Sequence, residues 1–203
     1  MKLRPGSQVV DFSLIAGKGG VEVPMTAEAL FMTGALIVAG VGGATDVATR
    51  RIPNWLTYSG MLVAIAGRSV LQGWHGLGSA LAGGLIGGGI FLVFFLLHAM
   101  GAGDVKLITA IGCLVGPSSA LQIVLATAIA GGIFAVVLSL WQGRLRAVLV
   151  NVVDLIKFHA VAGAEVHPTL NLSNPQATRL PYGVAIATGV LYSVVAFYRR
   201  GGI

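Results

Sequence analysis

Ile90-Phe91-Leu92-Val93-Phe94-Phe95-Leu96-Leu97 is an unbroken apolar run, and Gly101-Ala102-Gly103-Asp104 follows it almost at once. Upstream the run continues through residues 77–89 without a charged side chain. About 20 apolar residues in a helix match the roughly 30 Å hydrocarbon core of a bilayer. The rest of the chain repeats this pattern. Hydrophobic residues make up 56% of the 203, charged residues 10%, and the mean hydropathy is +0.88. No soluble domain of this size hides so much apolar surface. The expected fold is therefore all-α, a polytopic membrane protein of about six transmembrane helices in one bundle.

The spans are expected near residues 27–45, 55–71, 77–99, 104–115, 120–141 and 181–198. The fourth is short, so it is either tilted or held inside the bundle. Residues 1–26 read as a separate polar or amphipathic segment. Within it, 9–15 suits a membrane surface, and residues 1–24 lack the continuous apolar stretch of a signal peptide. Residues 27–203 form the membrane domain, with a polar loop at 142–180. Thirty glycines are present. Gly83-x-x-x-Gly87 and Gly84-x-x-x-Gly88 place small residues on one helix face, which lets helices in lipid approach closely.

The formal charge of +6 does not mark a nucleic-acid binder, because the cations lie singly or in pairs beside apolar runs, as topology signals do. Six spans put residues 46–54, 99–105 and 142–180 on one side. With the flanking Lys106, that side holds Arg50, Arg51, Lys106, Arg144, Arg146, Lys157 and Arg179. The other side holds Lys2, Arg4, Lys18, Arg68, Arg199 and Arg200. The first side is assigned to the cytoplasm.

Asp46 and Asp104 are two of only seven acidic side chains, and each ends a long apolar run. A carboxylate at a membrane boundary is expensive and points to function. Simpler roles exist for both segments. Arg50, Arg51 and Pro53 suit a stop-transfer loop and a helix start, and Asp104 suits a helix cap behind helix-breaking glycines. Neither role explains Asp46. Two carboxyls on one membrane face can divide into acid and base, because close like charges do not both ionise. The rival reading is a small transporter or channel subunit using the same aspartates as proton or cation sites. It calls for carboxylates near the midplane and inverted repeats, whereas both lie at one boundary.

Other residues read as structural. Cys113, the single cysteine, is a small core residue. His75, His98, His159 and His167 lack metal-ligand spacing. Trp55, Trp74 and Trp141 fall at helix ends, where an aromatic belt sits. No serine lies in a nucleophile elbow.

Asp46 with Arg50-Arg51-Ile52-Pro53-Asn54, then Gly101-Ala102-Gly103-Asp104-Val105-Lys106, then Leu180-Pro181-Tyr182-Gly183-Val184-Ala185 resemble the motifs of the type IV prepilin peptidases. These are Gly-x-Gly-Asp intramembrane aspartic proteases, and the short chain is similar to the branch serving tight-adherence (Flp) pili. The resemblance implies an inner-membrane, multi-pass endopeptidase that cuts the leader of pilin precursors at the cytoplasmic face, after a glycine. It implies Asp46 and Asp104 as the catalytic pair. Gly101, Gly103, Lys106, Pro181, Tyr182 and Gly183 would then belong to the substrate-binding region, with Lys106 facing either the substrate or lipid headgroups. The expected partners are a pilin precursor and membrane lipid, with no nucleic acid, no metal and no cofactor. Larger members carry a four-cysteine zinc module and methylate the new N-terminus. One cysteine does not build that module, so methyl transfer is not expected.

Overall fold

The computed structural model describes residues 25–97, 100–163 and 181–200. Among them the chain forms α1 (Met25–Thr49), α2 (Asn54–Leu96), α3 (Ala102–Val115), α4 (Pro117–Trp141), α5 (Leu145–Ala162) and α6 (Tyr182–Arg199). The breaks follow glycine and proline. Pro53 precedes α2. Gly116 ends α3 at φ 77°, and Pro117 opens α4, where its missing N–H is no loss. Gly143 at φ 65° ends α4. Arg144 N–H then donates to Ser139 O and Gly143 N–H to Leu140 O, which caps the last free carbonyls of the helix.

Among the described residues, four helices are long and apolar enough to cross a membrane: Ala27–Thr49, Asn54–Leu96, Pro117–Trp141 and Tyr182–Arg199. The second is two spans in one. Gly73 leaves helical geometry at φ 60°, ψ −143°, and the arms on either side run in opposite directions along α3. Just before the first arm Ile52 lies by Gly103, and along it Gly60 lies by Ala110 and Arg68 by Leu114. On the second, Gly83 lies by Gly112 and Gly87 by Ile108. These arms are the spans expected at 55–71 and 77–99, and the protein is a helical polytopic membrane protein.

The short fourth segment is the hub. At 14 residues α3 is about 21 Å long, too short to span the core alone. It is instead wrapped by its neighbours. Leu107, Ile108, Ala110, Ile111 and Leu114 are buried, and α3 touches α1, α2, α4 and α6. The glycine faces explain the fit. A Cβ on Gly83 would strike the carbonyl of Gly112, and one on Gly112 would strike that of Gly83. A Cβ on Gly88 would strike Thr109 Oγ1, and one on Gly87 would sit 2.9 Å from Ile108 O. Backbone therefore meets backbone, and dispersion between close surfaces replaces the hydrophobic force that lipid does not supply.

One expectation is corrected. The polar loop at 142–180 contains a helix, α5. Its sequence repeats apolar residues at Leu145, Val148, Leu149, Val152 and Ile156, the period of one helix face, while Arg146, Asp154 and Lys157 make the stretch look polar by composition. Among the described elements α5 touches α4 alone. Segment 9–15, His98, His167 and the remainder of the loop lie outside the described residues.

Candidate active site

At the end of the bundle where α1 and the second arm of α2 stop and where α3 and α6 start, there is a cavity of about 310 Å³. Asp46 and Asp104 both line it. Asp46 sits in the last turns of α1, only 9% exposed. Gly42 and Gly43, one turn earlier, bring its neighbours close. A Cβ on Gly42 would lie 2.8 Å from the Leu107 side chain, and one on Gly43 would lie 3.1 Å from Gly183 O. The gap between α1 and α6 is thereby small enough for a buried hydrogen bond, from Gly183 N–H to Asp46 Oδ2 at 2.9 Å. A Cβ on Gly183 would meet Asp46 Cβ at 2.9 Å, so only glycine fits there.

Asp104 occupies the first turn of α3, outside the four spanning helices. Its Oδ2 accepts the Gly101 N–H at 3.3 Å, so the carboxyl does cap its own helix, as the simpler reading had it. It caps from the third helical position, with Gly101 as the N-cap. Burial pushes the Asp104 carboxyl up from 3.8 to about 7, the charge of Asp46 adds to the rise, and the Gly101 hydrogen bond opposes it. The two aspartates therefore share a cavity and also sense each other's charge.

Cations complete the wall. Arg50, Arg51 and Lys106 line the same cavity. Arg50 stands at φ 55°, the one non-glycine residue with positive φ among those described, and its N–H closes the end of α1 on Asp46 O at 2.9 Å. Lys106 Nζ donates to Asn54 Oδ1 at 3.0 Å and lies 5.1 Å from the Tyr58 ring centre. These positive groups offset the charge that two acids bring to a membrane edge.

The other expected site residues divide. Gly101 and Gly103 line the cavity. Gly103 also lets α3 close on the α1–α2 connection, since a Cβ there would lie 3.3 Å from Ile52 Cβ. Pro181, Tyr182 and Gly183 are not on the cavity wall. They start α6, with Pro181 as its N-cap, and Tyr182 packs toward Gly131. The Gly183 N–H at this helix start is committed to Asp46. Ile52, Asn54 and Ala102, which the motifs contain but to which the sequence assigns no role, also line the cavity, as do Arg50 and Arg51. The available clue was Asn54, a polar residue opening a helix and able to face Lys106 at the start of another.

A model described as the type IV leader peptidase family matches residues 30–136, more than half of the chain. The chain belongs to the type IV leader peptidase family. The matched part of this leader peptidase carries α1 to α4, hence both aspartates, and ends before α6. The membership makes the protein a leader peptidase-type protease. No curated protein and no solved structure matches the chain.

Proposed function

We propose that this peptidase is an intramembrane aspartic endopeptidase. It removes the leader of type IV-like, Flp-class pilin precursors at the cytoplasmic face of the inner membrane, cutting after a glycine, with Asp46 and Asp104 as the catalytic pair. The observation that carries the reading is that both carboxyls line one cavity at one end of an apolar bundle. The substrate class and the branch rest on the resemblance of the three motifs.

The chemistry needs one carboxylate and one carboxylic acid. The carboxylate takes a proton from water as the water oxygen bonds to the scissile carbonyl carbon. The acid gives its proton to the carbonyl oxygen. Collapse of the tetrahedral adduct then breaks the C–N bond, and the amine leaves with a proton from the pair. The pair acts as one unit, holding one proton between two sites. The substrate must be extended here, because a helical backbone hides its carbonyls in its own hydrogen bonds. Gly101 and Gly103 keep the cavity floor free of side chains. Lys106, held by Asn54 and Tyr58, supplies a fixed positive charge for substrate or headgroup.

A pH profile follows. With the Asp104 carboxyl raised to about 7, the proton needed for donation is present below that value and lost above it. Cleavage measured as kcat/KM is expected to fall above about pH 7, approaching tenfold per unit. Stability has the same sign. A carboxyl whose folded value is raised stabilises the fold at low pH, and that contribution disappears as pH rises through about 7. A profile flat to pH 9 would remove Asp104 as the donor.

Topology is the second test. Arg50, Arg51 and Lys106 line the cavity, and Arg144 and Arg146 follow the end of α4 at Trp141. Of the cations counted for the opposite end, Arg68 is buried in an ion pair with Glu28, which weakens the opposing signal. A cysteine at Gln142, in a Cys113→Ser background, is expected to react with an impermeant maleimide only after spheroplasts are permeabilised. Reaction in intact spheroplasts would reverse the orientation.

A further inference from the structure

The end of the bundle opposite the aspartates holds a buried polar cluster that the peptidase reading leaves unused. Arg68, in the first arm of α2, is 2% exposed. Its guanidinium makes a two-pronged contact with Glu28 of α1, with Nη2 to Oε2 at 2.9 Å and Nη1 to Oε1 at 3.2 Å. Nη1 also reaches Gln72 Oε1 at 3.1 Å and Ser79 Oγ at 3.5 Å, on the two sides of the Gly73 reversal. The carbon of the guanidinium lies 4.6 Å from the Phe31 ring centre. The remaining donor, Nε, bonds Leu114 O at 2.8 Å, a carbonyl in the last turn of α3.

That last bond is unusual in what it joins. The final carbonyls of a helix have no partner within it, and the helix C-terminus attracts positive charge. One buried side chain thus holds the end of α3 and, through its other donors, fixes that end to α1 and to both arms of α2. The helix between Leu114 and Asp104 is short and lined by glycine contacts that define where it sits. A rod gripped at one end cannot slide, so its other end is placed as well.

We infer that Arg68 and Glu28 are positioning residues that set the height of α3 in the bundle and, through it, the placement of Asp104 against Asp46. The inference deepens the peptidase reading and rests on it only for its catalytic consequence. Arginine is needed rather than a generic cation. Lysine can pair with Glu28, but it has one point of charge and no fork to reach Glu28, Gln72 and Leu114 O together.

The test reads the register of α3 directly. Gly103 and Ile52 meet closely enough that cysteines at both positions suit a disulfide, so Ile52→Cys with Gly103→Cys, in a Cys113→Ser background, reports where the start of α3 lies. Oxidation of this chain in nanodiscs is expected to be efficient. Adding Arg68→Lys is expected to leave the protein folded and inserted, with its Tm near the parent's, while slowing the cross-link. In the chain without added cysteines, Arg68→Lys is expected to lower kcat for precursor cleavage about 100-fold, the scale of an ångström-sized misplacement, with KM little changed. The alkaline limb should move below about 7, because a displaced Asp104 is less buried and farther from the charge of Asp46, the two causes of its raised value. Glu28→Gln, which keeps a hydrogen-bond acceptor, is expected to give the same changes in milder form, and it decides the matter if Arg68→Lys does not accumulate. Unchanged cross-linking in whichever of the two variants folds would overturn the inference. A slowed cross-link in a chain that cleaves no precursor even as wild type would sustain it and sink the peptidase reading instead.

Discussion

Asp46→Asn and Asp104→Asn are each expected to abolish precursor cleavage, with kcat lower by at least about 10⁴-fold, the scale seen when a member of a catalytic unit is removed. Neither change should disturb the fold. Asn is isosteric with Asp and keeps an oxygen that can accept the Gly183 N–H at position 46 or the Gly101 N–H at position 104. What is lost is ionisation. Without a carboxylate no group takes the proton from water, and without a carboxylic acid none gives one to the carbonyl oxygen. Because the two act together, the double variant should be no slower than either single one. The assay is single-turnover cleavage of a pilin precursor in detergent or nanodiscs, with insertion and Tm checked in parallel. Measurable turnover in either folded single variant would strike that residue from the pair.

Gly83→Val is expected to prevent accumulation of the folded protein. The Cβ alone would lie against the carbonyl of Gly112 and within 2.9 Å of Gly116 backbone. Those obstacles are backbone, so no rotamer change relieves them, and valine adds two methyl groups. The second arm of α2 would have to leave α3, opening the contact that buries the hub of the bundle. A destabilisation above about 4 kcal/mol, the range of severe core disruption, is expected. Gly89→Val is the matched control, on the same arm with nothing within 4 Å of its Cβ, and should leave Tm nearly unchanged. Fluorescence-detected size exclusion after heating separates the two. Equal melting of both variants would mean that the glycine face does not pack on α3.

The membrane fold was legible because lipid imposes a blunt rule. A span needs a long apolar run, and 90–97 with its upstream extension satisfies it from composition alone. The two arms of α2 were legible as separate spans because Trp74, His75 and Gly76 interrupt the apolar text. Asp46 and Asp104 were legible because acid is rare in this chain. Three features were not. Arg68 reads as a boundary cation, since nothing in the sequence says that Glu28, forty residues away, will neutralise it. Gly183 reads as part of a substrate wall, since a backbone N–H leaves no trace in residue type. α5 reads as loop, because its charged residues conceal an apolar face. The first two concern a partner distant in sequence, which periodicity does not reveal; the third concerns a face that periodicity shows and composition hides.

The bond from Gly183 to Asp46 joins residues 137 positions apart, and it orders events on the ribosome. Both aspartates have been made well before residue 183. At roughly 5–20 residues per second the interval is several seconds, to which the length of the exit tunnel adds. During that time Asp46 has neither its N–H partner nor α6 beside it. On the proposed reading, a nascent chain therefore contains both catalytic acids before the Gly183 bond that holds Asp46 in place. On that reading the last helix completes the site, since a half-built molecule lacks the Gly183 bond to Asp46.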